Sequence, residues 1–538
     1  MREFDFIVVG AGSAGCVVAE RLTANGRFTV LLLEAGGSDR RFFVQMPLGY
    51  GKTFFDPAVN WNFRAEPDPG LAGNADHWPR GKLLGGSSSI NAMVWVRGQR
   101  ADYDAWAAAG NAGWSYDDLL PLFKAVEDNE AGADAWRGRG GPVHVSDMRA
   151  HVHPLTRRYL EAARQAGLPA NPDFNGASQE GAGVYQITTR NGRRMSAARA
   201  FLRPAMRRPN LTVETGAHAT RIRFEGRRAT GIDYLRDGRP MSARARREVV
   251  LSAGAVGSPQ LLELSGIGDP AVLSAQGIAV VHANPHVGEH LQDHQGINYT
   301  WKAKVPTLNQ LLRPWWGKAL AGARYLLLRS GPLSMSMNQG GGFFRTSPEH
   351  DRPNMQLYFQ AFSTVMPRAG ERPILSPDPW PGFSIGLSNC RPLSRGAVHI
   401  RSADPRAAPR IVVNAFSAGR DVQEMLAAVK FLRVIAAQPA LAEVTAEEIL
   451  PGPACIADDA LIDDFRRRSG TVYHPVATCR MGPDPAEAVV DPRLRVHGLA
   501  GLRIVDASVF PSVITGNTNA AAIITGAKGG AMVLEDQG

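Results

Sequence analysis

Two polar residues near the C-terminus have side chains that could act together on a substrate hydroxyl group. His474 is followed by Pro475 in a run of small residues, and Asn517 lies in the segment Gly516-Asn517-Thr518. A neutral imidazole can take up a proton near neutral pH, and an amide can donate a hydrogen bond to the oxygen that loses it. The pair therefore suggests alcohol oxidation, provided that another group accepts the hydride.

The N-terminus has the sequence pattern that could hold such an acceptor. Residues 4–9 form a nearly continuous apolar run, typical of a parallel strand buried on both faces, and residues 14–25 follow with apolar positions at helical spacing. Between them lies Gly10-x-Gly12-x-x-Gly15. In such a turn the first glycine permits the tight bend, the second lets the backbone approach a pyrophosphate, and the third lets helix and strand pack closely.

A second strand and an acidic residue complete this unit. The apolar run 29–33 ends at Glu34, which is followed by Ala35. A carboxylate at this place can hold both hydroxyls of a ribose, and it disfavours a 2′-phosphate. We therefore predict a dinucleotide-binding βαβ unit, which by itself does not distinguish NAD from FAD.

Other segments indicate how the rest of the chain is organised. Glycine and serine are frequent from residue 70 to 98, above all in 81–91, and such a permissive backbone lets a ligand approach closely. The cofactor domain is predicted to be discontinuous, because it recruits strand-like runs at 211–214, 248–252 and 502–505. Alternating runs at 354–359 and 383–387 indicate an antiparallel sheet in a second domain.

These patterns predict an α/β fold in which a Rossmann-like dinucleotide-binding domain is joined to a second, α+β domain built on an antiparallel sheet. The cofactor domain is assigned to residues 1–155, 195–300 and 465–538. The substrate domain is assigned to residues 156–194 and 301–464.

Composition disfavours several other classes of protein. The chain has 538 residues, of which 44% are hydrophobic and 20% charged, and a net charge of +10. The arginines occur in short clusters such as Arg207-Arg208, which are typical of solvated surfaces, so nucleic acid is not an expected partner; a basic polyanion-binding protein is kept as the last-ranked alternative. Four scattered cysteines give neither a zinc pattern nor a disulfide framework, and they fit a reducing compartment.

The sequence also bears on location and metals. No apolar run reaches the ~18 residues of a membrane helix, and the first strand begins at once, which leaves no room for a secretion signal. We expect a cytoplasmic protein, with room for peripheral attachment at a membrane. His286, His290 and His294 recur at four-residue intervals, but Pro285 and Gly288 interrupt a helical metal-binding face, so no metal is expected. The oligomeric state stays open.

Four segments together resemble the glucose-methanol-choline (GMC) flavoprotein oxidoreductases over nearly the whole chain. They are GAGSAG at 10–15, GKLLGGSSSIN at 81–91, GAVGSPQLLELSGIG at 254–268, and the segments around His474 and Asn517. The resemblance implies that the cofactor is FAD. It places against FAD Gly10, Gly12, Ser13, Ala14, Gly15, Glu34 and Ala35 at the ADP half, Ala219 at the adenine, and Gly85, Ser89, Asn91, Ala92, Asp506, Ala507, Asn517 and Thr518 toward the ribityl chain and flavin.

The same resemblance gives the catalytic roles. It implies that His474 removes the hydroxyl proton while the α-carbon hydride moves to flavin N5, and that Asn517 holds the substrate oxygen. Asn519 is assigned instead to capping a helix whose positive dipole end faces the flavin. Some members attach FAD through a histidine just before the Asn91 position; Ile90 stands there, so noncovalent FAD is expected.

The substrate implied by the resemblance is a primary alcohol, oxidised to the aldehyde. Choline-oxidising members hold the trimethylammonium group with a glutamate, whose position we assign to Gln339, and this argues against choline. Trp61, Gln339, Phe359 and Val472 are predicted to line a more neutral pocket, although core packing accounts for Trp61 and Phe359 equally well. Val472 leaves room for dioxygen as electron acceptor, and a quinone-type acceptor stays open. Choline dehydrogenase proper and a nonredox lyase of the family remain alternatives.

Overall fold

In the computed structural model, which describes residues 2–364 and 376–538, a seven-stranded sheet forms around the N-terminal apolar run. The strand Arg2–Val9 pairs in parallel with Val30–Glu34 on one side and with Arg239–Leu251 on the other. Leu211–Thr215 and Leu502–Ile504 extend this parallel part at its two sides. The prediction that these distant runs share one sheet is confirmed.

An antiparallel meander continues the same sheet. Arg239–Leu251 also pairs with Arg228–Arg236, which in turn pairs with Ala217–Glu225. Only the last few residues of this meander were predicted as a strand. Its turns fall at Gly226 and Gly238, both with positive φ, and its outer residues alternate arginine with small or apolar side chains, so one face is solvated.

The second sheet also has seven strands, and every pairing in it is antiparallel. This confirms the antiparallel prediction for 354–359 and 383–387. The strand Gln295–Ala303 crosses the predicted domain boundary at residue 300, and the boundaries remain predictions. In sheet order the strands are Thr445–Leu450, Gln295–Ala303, Gly382–Asn389, Met355–Gln360, Gly340–Phe344 and Gly181–Val184, with Gly470–Thr471 beside Gln295–Ala303.

Helices cover both sheets and create two large apolar cores. Ser13–Thr23 packs against Asn519–Glu535 so closely that a Cβ on Gly526 would lie 2.6 Å from the Ala14 carbonyl oxygen, which is why a glycine is required there. Pro154–Gln165 and Gly419–Ala436 pack on the second sheet. The other helices of eight or more residues are Arg100–Ala108, Tyr116–Val126, Gly254–Leu264, Trp315–Leu328 and Asp458–Arg468.

Shorter elements fill the connections. Two-stranded pairs are Phe63–Arg64 with His77–Trp78, Glu127–Asn129 with Val143–Val145, Thr189–Arg190 with Arg193–Arg194, Ile267–Gly268 with His282–Ala283, and Ala397–His399 with Arg410–Val412. Short helices and turns of helix are Phe42–Gln45, Pro47–Gly49, Tyr50–Thr53, Pro69–Leu71, Gly86–Ser89, Ala198–Leu202, Arg203–Ala205, Pro270–Ala275, Leu308–Leu312, Pro332–Ser334, Pro439–Ala442 and Ala507–Val509. Within the described ranges, no helix combines the length and apolarity needed to cross a bilayer.

Candidate active site

A cavity of about 860 Å³ lies between the two sheets. Its walls include the residues at which the parallel strands end: Gly10, Ala35, Ser252 and Asp506. The carboxyl ends of parallel strands are where α/β sheets bind ligands, because the strands diverge there and the following helices begin there. Other parts of the wall come from residues between 50 and 94, from the second sheet and from the loop that carries His474.

The glycine turn forms a narrow cradle at one end of this cavity. Gly10 has φ +99°, and a Cβ at this position would lie 2.4 Å from the Ser252 carbonyl oxygen. Gly12, Ser13 and Ala14 line the cavity at the start of their helix. Gly15 lies behind the cavity, where a Cβ would meet the Gly10 carbonyl oxygen at 2.0 Å, so its part is to let helix and strand approach. A helix N-terminus reached by bare backbone suits a pyrophosphate.

Glu34 lies at the carboxyl end of its strand and is 6% exposed. Its Oε2 accepts from the Ala11 backbone N–H at 3.0 Å, and its Oε1 accepts from the Gly36 N–H at 2.8 Å. Burial raises the pKa of this carboxyl to about 7, although both N–H groups and Lys82 favour the charged form. Since each carboxylate oxygen can accept more than one hydrogen bond, Glu34 keeps acceptor capacity toward the cavity for ribose hydroxyls. The cradle and this carboxylate fit the ADP half of a dinucleotide.

The remaining cofactor residues predicted from sequence divide into two groups. Those that line the cavity are Ala35, Asn91, Ala92, Ala219, Asp506, Ala507, Asn517 and Thr518. Gly85 and Ser89 lie one layer behind it, because the Ser89 hydroxyl donates to the Leu84 carbonyl oxygen at 2.8 Å instead of facing the cavity. A Cβ on Gly85 would meet that hydroxyl at 2.2 Å, so these two residues shape the loop that carries the lining.

Two helix N-termini meet at the cavity. The helix Asn519–Glu535 begins directly after Thr518, which makes no side-chain capping bond. The expectation that Asn519 caps this helix is wrong: it is the first helical residue, and its Oδ1 accepts from the Ser13 hydroxyl at 2.8 Å. This contact ties the start of the C-terminal helix to the start of the N-terminal one, so both positive dipole ends face the same cavity.

His474 and Asn517 also meet in this cavity. The Asn517 Nδ2 lies 3.1 Å from the His474 Nε2. Asn517 Oδ1 accepts from Gln356 Nε2 at 3.2 Å, and Gln356 Oε1 in turn accepts from the Tyr358 hydroxyl at 2.8 Å. This chain of hydrogen bonds orients the Asn517 amide so that its N–H groups point toward the histidine.

His294 determines which nitrogen of His474 carries the proton. Its Nε2 lies 3.1 Å from the Cys390 carbonyl oxygen, and since a carbonyl only accepts, this Nε2 carries the hydrogen. The His294 Nδ1 is then an acceptor, and it lies 3.0 Å from the His474 Nδ1, which must donate. His474 therefore keeps a lone pair on Nε2, the atom that faces Asn517. His294 was considered in the sequence only as one of three regularly spaced histidines, so its role was missed.

The electrostatics favour a neutral imidazole at His474. Burial, together with the charges of His294 and Arg80, lowers the pKa of His474 well below its ordinary value of 6.5. Burial also lowers the pKa of His294 to about 4. The buried carboxyl of Asp293 accepts from the backbone N–H groups of His474 and His294 at 2.8 and 2.9 Å and from the Thr471 hydroxyl, and burial raises its pKa to about 7. Asp293 thus fastens the two histidine loops together.

The loop around His474 holds unusual backbone geometry. Tyr473 and Ala477 both have φ +72°, a region that costs a non-glycine residue ~1–3 kcal/mol. Arg80 donates from Nη2 to the Tyr473 carbonyl oxygen at 2.7 Å, and the Tyr473 ring packs edge-on against Phe54. These contacts hold the strained loop in place and present the histidine to the cavity.

Two of the four predicted substrate-pocket residues line the cavity, and two do not. Trp61 and Val472 are part of its wall. The Gln339 side chain points away and accepts from the His153 backbone N–H at 2.7 Å and from the Thr156 hydroxyl at 3.2 Å. Phe359 stacks on Tyr159 in the core of the second sheet, with ring centroids 4.6 Å apart.

Both corrections follow from the alternation of side chains along extended backbone: Phe359 lies in the strand Met355–Gln360, and Gln339, directly before the strand Gly340–Phe344, donates its backbone N–H to the Phe359 carbonyl oxygen at 3.2 Å. Tyr358 and Gln360, the neighbours of Phe359, face the cavity, and so does Asn338, the neighbour of Gln339. Gln360 Nε2 donates to Asn338 Oδ1 at 2.8 Å across the strands. The two-residue period was visible in the sequence, but nothing in it showed which parity faces inward.

Replacing His294 by phenylalanine is expected to lower kcat by roughly 10²-fold, because His474 loses the acceptor that keeps its Nε2 unprotonated. His294→Gln offers both an acceptor and a donor and should recover part of the rate. The measurement is the rate of substrate-dependent cofactor reduction without air, alongside cofactor content and KM. Equal losses in both variants, accompanied by loss of bound cofactor, would show a merely structural role.

Comparisons with known proteins agree over almost the full length. Residues 4–296 match the N-terminal family model of GMC oxidoreductases, and residues 392–526 match the C-terminal one. The chain is 42% identical to alcohol dehydrogenase (acceptor) of Pseudomonas putida over 97% of this chain and 94% of that protein. It is also 42% identical to oxygen-dependent choline dehydrogenase 1 of Chromohalobacter salexigens over 98% of this chain and 94% of that protein.

Solved structures show the same fold. Pyridoxine 4-oxidase from Mesorbium loti superimposes with a TM-score of 0.88 and 31% identity, covering 98% of each chain. An Aspergillus oryzae formate oxidase variant, solved to follow FAD modification, gives a TM-score of 0.92 and 26% identity, covering 99% of this chain and 98% of that one.

Proposed function

This chain belongs to the GMC oxidoreductase family, whose FAD-dependent enzymes act on CH–OH groups of donors, and we propose that it oxidises a primary alcohol to the aldehyde with His474 as base. The observation that carries the proposal is the 3.1 Å contact between Asn517 Nδ2 and the unprotonated Nε2 of His474 inside the cavity that the glycine cradle opens into. A base and an amide donor at that spacing suit a single hydroxyl group.

FAD, when bound, supplies the hydride acceptor. The proposed ADP site is formed by Gly10, Gly12 and Glu34, and the proposed flavin site by Asn91, Ala92, Asp506, Ala507, Asn517 and Thr518. We propose noncovalent binding, because Ile90, which is buried among Val44, Val59 and Leu83, has no nucleophilic atom.

The chain's own residues would handle the proton. We expect the alcohol oxygen to lie between the Asn517 and His474 side chains in place of their direct contact. It would accept a hydrogen bond from the Asn517 amide and give its proton to His474 Nε2. The His474 Nδ1–H keeps its hydrogen bond to the His294 Nδ1, so the His474 ring does not have to turn when it becomes charged. Removing the hydroxyl proton makes the oxygen a stronger electron donor, which helps the hydride leave the α-carbon.

Choline is the second candidate substrate, and one observation favours it. The argument against choline depended on Gln339, whose side chain lies outside the cavity. The Asp76 carboxyl lies on the cavity wall beside the His474 loop, where its Oδ2 accepts a hydrogen bond from the Thr471 backbone N–H at 2.9 Å. Burial raises its pKa to about 6, so at neutral pH it can carry the negative charge that a trimethylammonium group would need.

Flavin reduction without air tests both candidates. We expect the flavin absorbance to bleach with neutral primary alcohols such as 1-alkanols and benzyl alcohol, and more slowly or not at all with choline. Rapid return of the colour when air is readmitted would assign dioxygen as acceptor, whereas return only with an added quinone would assign a dehydrogenase. Asp76→Asn is the matched variant. If it loses flavin reduction by choline but keeps reduction by the neutral alcohols, choline is favoured as the substrate. No bleaching by any of these alcohols would reject the proposal.

A further inference from the structure

The helix Trp315–Leu328 is exposed in an unusual way. Its buried stripe consists of Gly317, Ala321 and Tyr325, whereas its large apolar side chains point to solvent. Trp315 and Leu327 are each 81% exposed, and the other exposed members are Trp316, Leu320, Leu326 and Leu328. A surface helix normally buries its apolar face, so this arrangement leaves a large apolar surface without a partner in the chain as described.

A second element enlarges this surface. Phe42 and Phe43, in the short helix Phe42–Gln45, are 50% and 38% exposed. The Phe42 ring packs edge-on against Tyr325 with centroids 6.2 Å apart, so the two helices are neighbours. We call the combined surface the apolar ledge; it consists of Phe42, Phe43, Trp315, Trp316, Leu320, Leu326, Leu327 and Leu328.

Basic residues flank the apolar ledge in sequence. From residue 305 to 330 the sequence has no Asp or Glu, while it has Arg313, Lys318, Arg324 and Arg329. Residues 40–55 likewise contain Arg40, Arg41 and Lys52 and no acidic residue. The Lys52 ammonium lies over the Phe43 ring at 4.3 Å, and the Arg329 guanidinium lies over the Tyr325 ring at 4.9 Å.

We propose that the apolar ledge docks on the surface of an anionic lipid bilayer. A helix lies in the headgroup region of a bilayer when one face carries tryptophan, phenylalanine and leucine and the borders of that face carry lysine and arginine. The apolar side chains enter the acyl boundary, while the long basic side chains reach the phosphates. In the helix, Lys318 and Arg324 border the exposed apolar side chains, and no acidic residue is present.

Charge also decides against a second copy of the chain as occupant. A symmetric contact would bring the arginines and lysines around two ledges close together, and like charges across an interface are unfavourable. An anionic surface meets the same residues with opposite charge. Docking would also place the cavity near the membrane, since Met337 and Asn338, which line it, follow the helix through Pro332–Ser334.

Vesicle flotation of the FAD-loaded protein tests the proposal. The protein should float with vesicles of equimolar phosphatidylcholine and phosphatidylglycerol and remain behind with phosphatidylcholine alone. Trp315→Ser/Leu327→Ser/Leu328→Ser should weaken binding at least ~tenfold, and Lys318→Gln/Arg324→Gln roughly fivefold for each charge removed. Ile456→Ser, at an apolar side chain that is 71% exposed elsewhere, is the matched control and should bind like the parent.

A second measurement does not depend on polar substitutions that could disturb folding. Quenching of tryptophan emission by brominated lipids should fall in Trp315→Phe/Trp316→Phe compared with the parent. The proposal is overturned if the parent does not float, if the triple variant floats as well as the control, or if quenching is unchanged. It is also overturned if the triple variant converts a dimer to a monomer in light scattering while the parent ignores vesicles, because the ledge would then cover a second copy.

Discussion

His474→Ala is expected to lower the rate of flavin reduction by ~10²–10⁴-fold, the usual contribution of a positioned general base. The Asn517 amide would still hold the alcohol oxygen, so KM should change far less than kcat. FAD content should stay the same, because His474 is not among the residues proposed to hold FAD. Single-turnover reduction under anaerobic conditions measures the step directly.

The pH dependence of the same variant gives a second readout. Only neutral His474 can take the proton, and the pKa of His474 lies well below the ordinary value of 6.5. The kcat/KM of the parent should therefore stay level as the pH falls to 6.5 and decline only in more acidic solution. The alanine variant should lack this acidic decline. His286→Ala, at a partly exposed histidine outside the cavity, is the control. A parent-like rate in the His474 variant would remove it from the mechanism.

Gly10→Ala is expected to weaken FAD binding at least ~tenfold, the change in dissociation constant that 1.4 kcal/mol of lost binding free energy produces, and so to lower the FAD content of the purified protein. A Cβ would lie 2.4 Å from the Ser252 carbonyl oxygen, which belongs to the backbone and cannot turn aside. The turn must therefore move, and with it the N–H groups intended for the pyrophosphate. The ratio of flavin to protein absorbance measures the effect.

Gly26→Ala separates this clash from simple backbone strain. Gly26 has φ +73° in the same βαβ unit, yet a Cβ there meets nothing within 4 Å. Both variants pay ~1–2 kcal/mol for an alanine in the left-handed region, but only Gly10→Ala obstructs a neighbouring strand. If the two variants lose FAD equally, the close approach to Ser252 is not what the cofactor requires.

The N-terminal βαβ unit could be predicted from sequence because its signals are local. A buried strand, a glycine turn and a carboxylate follow one another within a single short stretch, and each acts on its immediate neighbours. Arg2–Val9 and Val30–Glu34 accordingly form the predicted parallel pair. The proposed catalytic residues His474 and Asn517 were identified through the segments in which they occur, and the fold places their side chains in contact.

The supporting residues could not be predicted in the same way, because their roles depend on contacts between distant segments. His294 contacts His474 through a single hydrogen bond, and Gln356 contacts Asn517 in the same way. No spacing in the sequence indicates such contacts. Gln339 and Phe359 were wrong by one residue each, because strand alternation leaves open which face is inside. The error at Asn519 has a different cause, because the sequence does not fix the first residue of a helix to within one position; Asn519 is helical itself and reaches Ser13 instead of its own helix end.

The contact between Ser13 and Asn519 has a consequence for how the protein matures in the cell. Chains emerge from the ribosome N-terminus first and can begin to fold before synthesis ends. Here, however, the strand Arg2–Val9 shares a sheet with Leu502–Ile504, and the wall of the cavity is completed by Asn517 and Thr518. The cavity wall is therefore incomplete until these C-terminal segments have been made. We expect FAD to be captured only after translation, by the finished chain.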